Sequence, residues 1–442
     1  MKRADIPCVG ACGDDRAGAT VNARNDYGAT PLSLACANGN AAMAGRLLTA
    51  GASPNTALPS GETVLMRCAR TGSAEAVKSL LARGADVNAT DHEQGQTALM
   101  WAVAQAHPAA AQALIEGGAD VHARSKGGFT PLLFAARAGD VDSARVLLAA
   151  GANVNETAPN GMTALVLASA SGREALAIFL LEKGAAPNAA DADGATALHY
   201  AVVRGITPLN GVVFANYVSH FYRPNMVELV KALLAHGADP NVQLVKTPRL
   251  AGRSSNNVPG ATPFLLAAAG ADPTVMRVLV AGGADPRLAT KGNLTPLMAA
   301  AGVSRAQDFT DEEKRSAMVT VRLAVELGAD VNAVNEAGLT ALHGAASNGA
   351  DDIVRFLAER GAKLDARDKY QQTPLSIASG MRLPWIPYGE ELGEIIRQST
   401  ADLLLKLGAT PLNTPGYFAA VEGSDAFRFN QSQRYEGVTP PR

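Results

Sequence analysis

Apolar and polar positions along the chain come in blocks that return with a fixed period. Each block is headed by a threonine, most often in Thr-Pro-Leu or Thr-Ala-Leu, at Thr30, Thr63, Thr97, Thr130, Thr163, Thr196, Thr262, Thr295, Thr340 and Thr373. Six of the nine steps between them are 33 residues and one is 34, while the other two, 66 and 45, contain insertions. Apolar or small residues fall two, five and six places after the threonine, as in Leu32, Ala35 and Cys36 or Leu99, Ala102 and Val103, which is one face of a helix. The threonine stands where an N-cap is needed, and a following proline sits at the first helical position, whose N–H has no intrahelical partner to lose. Gly39, Gly72, Gly139, Gly172, Gly205 and Gly349, nine places on, suit a residue that ends a first helix in the left-handed region. A second helix carries leucine pairs such as Leu47 and Leu48 or Leu233 and Leu234, and stops at Gly-Ala, as at Gly51, Gly84, Gly118, Gly151 and Gly184. The pattern predicts helix pairs joined through hairpin segments such as Val87-Asn88-Ala89 and Val331-Asn332-Ala333.

A period near 33 built on this phrase resembles the ankyrin repeat, and the resemblance runs from about Gly18 to Leu412. It implies an all-α fold, an ankyrin-repeat solenoid of about ten helix-turn-helix repeats with short β-hairpin turns and an incomplete N-terminal repeat. One such unit cannot bury its apolar face alone, so stability comes from stacking, at roughly 25 cal/mol per Å² of apolar surface covered. The expected organisation is an irregular leader with the end of a truncated repeat over 1–25, one array over 26–412 and a tail over 413–442. In the family phrase a histidine follows Thr-x-Leu, and here only His199 and His343 keep it. Both are read as hydrogen bonders that brace a turn, not as ligands or bases.

Four departures from the period are specific to this chain. About 20 extra residues lie near 205–224, a further 13 near 243–255, 12 near 303–314 and 14 near 380–393. The first holds Phe214, Tyr217, His220, Phe221 and Tyr222, and the last holds Trp385 and Tyr388. The third contains Phe309 and the helix-start signature Thr310-Asp311-Glu312-Glu313, so it is expected to lengthen a helix. Three of these insertions and the tail carry 12 of the 21 aromatic residues. Two readings stand side by side: the rings build a recognition surface, since aromatics dominate interface hot spots, or the loops pack on one another and on the repeats between them.

Composition agrees with thin stacked layers, with 47% hydrophobic but only 5% aromatic residues. No stretch reaches the roughly 18 apolar residues of a membrane span. The formal charge is −2, and no basic stripe exists to attract phosphates, so nucleic acid is not an expected partner. Gly18-Ala19-Thr20-Val21-Asn22 reads as the end of a repeat whose helix pair is missing from 1–17. The protein is therefore expected to begin further upstream or to have had its start mis-set, with an irregular native cap as the other reading. An uncapped first repeat leaves room for self-association of an otherwise monomeric chain. No apolar run after Lys2 and Arg3 makes a signal peptide, so the visible chain is cytoplasmic by default and exported if the true start lies upstream. Cys36 and Cys68 occupy small-residue slots and are read as core residues. Cys8 and Cys12 lie in the leader without the second pair that a zinc site needs.

No Gly-x-Ser-x-Gly elbow, phosphate loop, dinucleotide fingerprint or H-E-x-x-H occurs, so no catalytic, cofactor or metal residue is assigned. His220, Arg223, Arg305, Asp308 and Glu390 are the polar residues of the insertions, and nothing in their spacing favours catalysis. The family resemblance implies binding on the concave side, made of hairpin tips and first helices. The expected function is a non-enzymatic scaffold that holds a protein partner there, through Tyr27, Lys126 and Tyr370 at the tips, or on the inserted loops. The alternative is the recognition part of a larger effector or enzyme whose catalytic part lies outside this chain.

Overall fold

The computed structural model describes residues 20–202, 226–246, 259–303, 309–380 and 396–412. These form two units, Met1–Ala189 and Ala190–Arg442, each containing five helix pairs. In the first, the pairs are α1 (Pro31–Ala37) with α2 (Ala41–Thr49), α3 (Val64–Arg70) with α4 (Ala74–Ala82), α5 (Ala98–Ala104) with α6 (Pro108–Glu116), α7 (Pro131–Ala138) with α8 (Val141–Ala149), and α9 (Ala164–Ala170) with α10 (Glu174–Glu182). In the second they are α11 (Ala197–Val202) with α12 (Val227–Ala235), α13 (Pro263–Ala269) with α14 (Pro273–Ala281), α15 (Pro296–Ala300) with α16 (Asp311–Glu326), α17 (Ala341–Ser347) with α18 (Asp351–Glu359), and α19 (Pro374–Ala378) with α20 (Gln398–Lys406). Within a unit each first helix packs on its own second helix and on the next first helix, so the core is a row of layers. The fold is the expected all-α ankyrin-type solenoid.

The periodic threonines start the first helices as the sequence predicts. Thr30, Thr63, Thr97, Thr163, Thr262, Thr295 and Thr373 each accept the N–H three residues on, which satisfies one orphan donor per helix. The slots two, five and six places after the cap are closed to water, with Leu65, Cys68 and Ala69 or Leu99, Ala102 and Val103 at 1% exposure or less. Among the described residues the hairpins hold isolated antiparallel bridges rather than strands, as between Thr90 and Thr97 or Thr157 and Thr163.

Two hydrogen-bond ladders tie repeat to repeat. At the tips, His92 N–H donates to the Ser60 carbonyl and Lys126 N–H to that of Gln94, both at 2.8 Å, and in the second unit Lys369 N–H donates to the Ala337 carbonyl at 2.9 Å. At the ends of the second helices, asparagine side chains reach the next Gly-Ala turn. Asn55 donates to the Gly84 carbonyl at 2.9 Å and accepts the Asp86 N–H at 2.8 Å. Asn155 and Asn332 make the same pair of bonds one repeat further on.

One cysteine reading changes. Cys36 and Cys68 are buried, as expected of core slots, but they are also joined by a disulfide across 32 positions of sequence. Neighbouring first helices bring the sixth slot of one repeat beside the fifth slot of the next, with the two Cα atoms 4.5 Å apart. A periodicity argument run one repeat at a time does not contain that cross-repeat pairing. Cys8 and Cys12 lie outside the described residues.

The insertion before α16 behaves as its helix-start signature predicts. Thr310 and Glu313 form a reciprocal capping box, and α16 runs 16 residues where its counterparts run 9. Phe309 at its entrance is 6% exposed, so this inserted aromatic packs inward.

Candidate functional site

Each first helix turns its inner slots to the neighbouring layers. Of the two other places, the seventh after the cap threonine is half-buried or exposed in the first unit, while the fourth is half-buried at Leu34, Arg67 and Trp101 but buried at Phe134 and Leu167. In the first unit the fourth-place residues are Leu34, Arg67, Trp101, Phe134 and Leu167, and the seventh-place ones are Ala37, Arg70, Ala104, Arg137 and Ala170. The described second-unit residues at these places are mostly small or aliphatic, as with Ala299, Gly344 and Ile377. Arginine and large rings are thus gathered on α3, α5 and α7.

Their geometry is coupled. The Arg70 guanidinium lies over the Trp101 ring at 5.1 Å from its centroid, and that of Arg137 lies over Phe134 at 5.2 Å, so charge and π-face meet at cation–π distance. Phe129, in the hairpin before α7, meets Phe134 with ring centroids 6.1 Å apart and planes at 57°. Glu62, just before the Thr63 cap, is shared by two cations, with Oε1 3.4 Å from Arg67 Nε and 3.5 Å from Arg70 Nη2. One carboxylate between two guanidiniums leaves net positive charge.

Aspartates brace the hairpin bases before α5 and α11. Asp91 is buried and accepts the Gln94 N–H at 2.6 Å and the Gln96 N–H at 2.9 Å. Burial pushes its carboxyl pKa up, but those N–H groups and the Trp101 indole outweigh it, and the group sits below its ordinary value. Asp191 plays the same part in the second unit, accepting the Tyr200 hydroxyl at 2.7 Å. Burial first, then Asp191, raises the Tyr200 pKa, so that phenol stays protonated.

His199 and His343 are turn braces, as expected. Each Nδ1 accepts the N–H of its own cap threonine, Thr196 at 3.2 Å and Thr340 at 3.1 Å. His343 Nε2 also reaches the Gln372 carbonyl at 3.2 Å. Burial pushes both rings down to about 4, so they are neutral at physiological pH.

The sequence-assigned tip residues lie on three separate hairpins. Tyr27 is 81% exposed. Lys126 is exposed and its Nζ caps the His92 carbonyl one repeat back. Tyr370 is half-buried in the second unit, its N–H given to Asp368. Phe214, Tyr217, His220, Phe221, Tyr222, Trp385 and Tyr388 lie outside the described residues, as do Arg223, Arg305, Asp308 and Glu390. Sequence reasoning did not single out Arg70, Trp101, Phe134 and Arg137. The available signal was the appearance of arginine and aromatics at two slots that hold small or aliphatic residues in many other repeats. Among the described residues no group of three or more His, Cys, Asp or Glu side chains is placed to hold a metal ion, and no helix is long and apolar enough to cross a membrane.

The models of the ankyrin-repeat family (three copies) match residues 12–91, 65–158, 147–212 and 314–386, and the single-repeat model matches 193–243. Among curated proteins, the chain is 29% identical over 117 residues to alpha-latrocrustotoxin-Lt1a of Latrodectus tredecimguttatus, covering 26% of this chain and 7% of that protein. It is 34% identical over 125 residues to cortactin-binding protein 2 of Rattus norvegicus, covering 28% of this chain and 7% of that one. It is 37% identical over 82 residues to protein phosphatase 1 regulatory subunit 27 of Homo sapiens, covering 19% of this chain and 49% of that protein. The chain therefore spans only a small part of the first two relatives and about half of the third. Among solved structures, the human ASB11 ankyrin repeat domain aligns with TM-score 0.45 at 24% identity, over 58% of this chain and 100% of that one. With family matches running through most of the chain and helix pairs that keep the same period, the protein belongs to the ankyrin-repeat family.

Proposed function

We propose that this chain is a non-enzymatic protein-interaction module that holds a protein partner on its first helices and hairpin tips. The observation that carries the reading is the row of Arg70, Trp101 and Arg137, half-buried or exposed, with the buried Phe134 ring beneath the Arg137 guanidinium. Arginine and tryptophan are the residue types that dominate interface hot spots, and here they stand where packing between repeats does not ask for them. The ankyrin scaffold itself names no partner. The inserted loops near 205–224 and 380–393 are a second contact region in this reading. The Cys36–Cys68 disulfide favours a protein that matures in an oxidising compartment.

The test is affinity capture with the full chain from the source organism's lysate. The wild type is compared with the double variant Arg70→Ala/Arg137→Ala and with Lys78→Ala on α4. Loss of a captured protein in the double variant alone supports the reading, while equal capture by all three contradicts it. For the loops, deletion of residues 207–222 that weakens capture and leaves thermal unfolding unchanged supports recognition. Loss of several kcal/mol of stability instead means that the rings are buried, since each is worth about 1.5–3 kcal/mol when removed from water.

A further inference from the structure

Among the described first helices of both units, the residues of type Asp, Glu, Lys or Arg are Arg67, Arg70 and Arg137. All three are arginines and all lie in the first unit. Glu62 offsets one of the pair on α3. Arg137 rests on Phe134 and, among the described residues, has no acidic partner. The hairpin tips beside this row carry both signs, with Asp26 and Glu93 against Arg24 and Lys126. In the helix row positive charge is therefore in excess, whereas at the tips it alternates with acids and does not form the continuous track that a polyanion would follow.

Resting on the interaction reading above, we propose that this row receives an extended acidic peptide segment of the partner. Two carboxylates of the segment pair with Arg70 and Arg137, and an apolar side chain between them lies on Trp101. The guanidinium fork suits a carboxylate in two-point contact. The two arginines stand two repeats apart, roughly 20 Å at the usual helix spacing of ~10 Å per layer. An extended chain advances ~3.3 Å per residue, so the two acids of the segment are about six residues apart. The ring beneath each guanidinium holds it in place for that contact.

The experiment measures fluorescence anisotropy of the full chain with short labelled peptides that share one apolar frame. They carry two Glu, two Gln or two Lys about six positions apart, and an oligouridylate of matching length is run beside them. The expected result is binding of the Glu peptide about tenfold or more tighter than the Gln peptide, none by the Lys peptide, and weakening by added salt. Arg70→Gln and Arg137→Gln each lower the Glu-peptide affinity by about tenfold, while Lys78→Gln does not, with unchanged circular dichroism in all. Equal binding of Glu and Gln peptides that is lost in a Trp101→Leu variant overturns the acid preference but keeps the row as a docking face. Binding untouched by every one of these variants overturns both. Absence of binding by any peptide, or tighter binding of the oligouridylate, overturns the proposal, the latter in favour of single-stranded nucleic acid.

Discussion

Asn88 and Gly118 are joined across a repeat boundary, the Asn88 amide donating to the Gly118 carbonyl at 3.2 Å while its Oδ1 accepts the Asp120 N–H at 2.8 Å. A helix C-terminus leaves carbonyls unpaired, and here the preceding repeat supplies the missing donor. Both partners of this contact are exposed and water can replace the lost bonds, so Asn88→Ala is expected to cost only about 0.5–1.5 kcal/mol, read from the urea midpoint. Asn88→Asp removes the donor but keeps the acceptor, and should fall between the two. In the next repeat His122 stands in the asparagine place and instead faces Glu156 Oε1 at 2.7 Å.

The disulfide between Cys36 and Cys68 closes a loop of 32 positions. By the chain-entropy model a loop of this size contributes about 3–4 kcal/mol through the unfolded state. Reduction, or the double variant Cys36→Ala/Cys68→Ala, should lower the first unit's unfolding midpoint accordingly. Alanine fits because it fills the same slots in other repeats, as with Ala102 and Ala136, both at 0% exposure. Free thiols in the oxidised protein under denaturing conditions, counted at both positions, would contradict the pairing.

Gly61 has φ +81°, and a Cβ there would stand 2.7 Å from the backbone nitrogen of His92 in the next tip. Gly84 has nearly the same φ, +80°, but open space around it. Gly84→Ala therefore pays only the left-handed backbone cost of about 1–2 kcal/mol, while Gly61→Ala adds displacement of the tip ladder. The prediction is a larger loss for Gly61→Ala than for Gly84→Ala in thermal unfolding, and equal losses would show that tip contacts do not matter.

His199 and His343 make stability pH-dependent. Burial holds both folded-state pKa values at about 4, below the ordinary 6.5. In the window between those values the unfolded chain binds protons that the native chain does not, so stability is full above 6.5 and falls as pH drops toward 4. The loss is at most about 3 kcal/mol per ring. Urea midpoints followed down through the window should decline, and His343→Gln should reduce the slope by about one proton's worth. A midpoint independent of pH would mean that the rings are solvated.

Most of the fold is legible in the sequence because each structural demand recurs ten times. Thr30 as cap, Gly39 as helix terminator and Leu32 as core slot can each be checked against their counterparts, and the structure keeps all three roles. The helix-lengthening insertion is legible for a local reason, since the Thr310–Glu313 capping box is contained in four consecutive residues. What was not legible depends on contacts one repeat away. The Cys36–Cys68 bond and the stacking of Arg70 on Trp101 join residues more than thirty positions apart, and reading each repeat alone registers a small core residue and a surface charge. The concave side of tips and first helices follows from the family phrase, but individual contact residues stand out in the sequence only at the tips and inserted loops, whereas the described cluster sits on regular first helices that obey the period.

The most direct measurement is amide hydrogen exchange of the full chain with and without a captured protein partner. The account predicts added protection concentrated in residues 62–70, 97–104 and 124–138, with the exposed sides of α4, α6 and α8 unchanged. Protection confined to those second helices, or absent from the first unit altogether, would contradict the claim that the first-helix row is where this protein holds its partner.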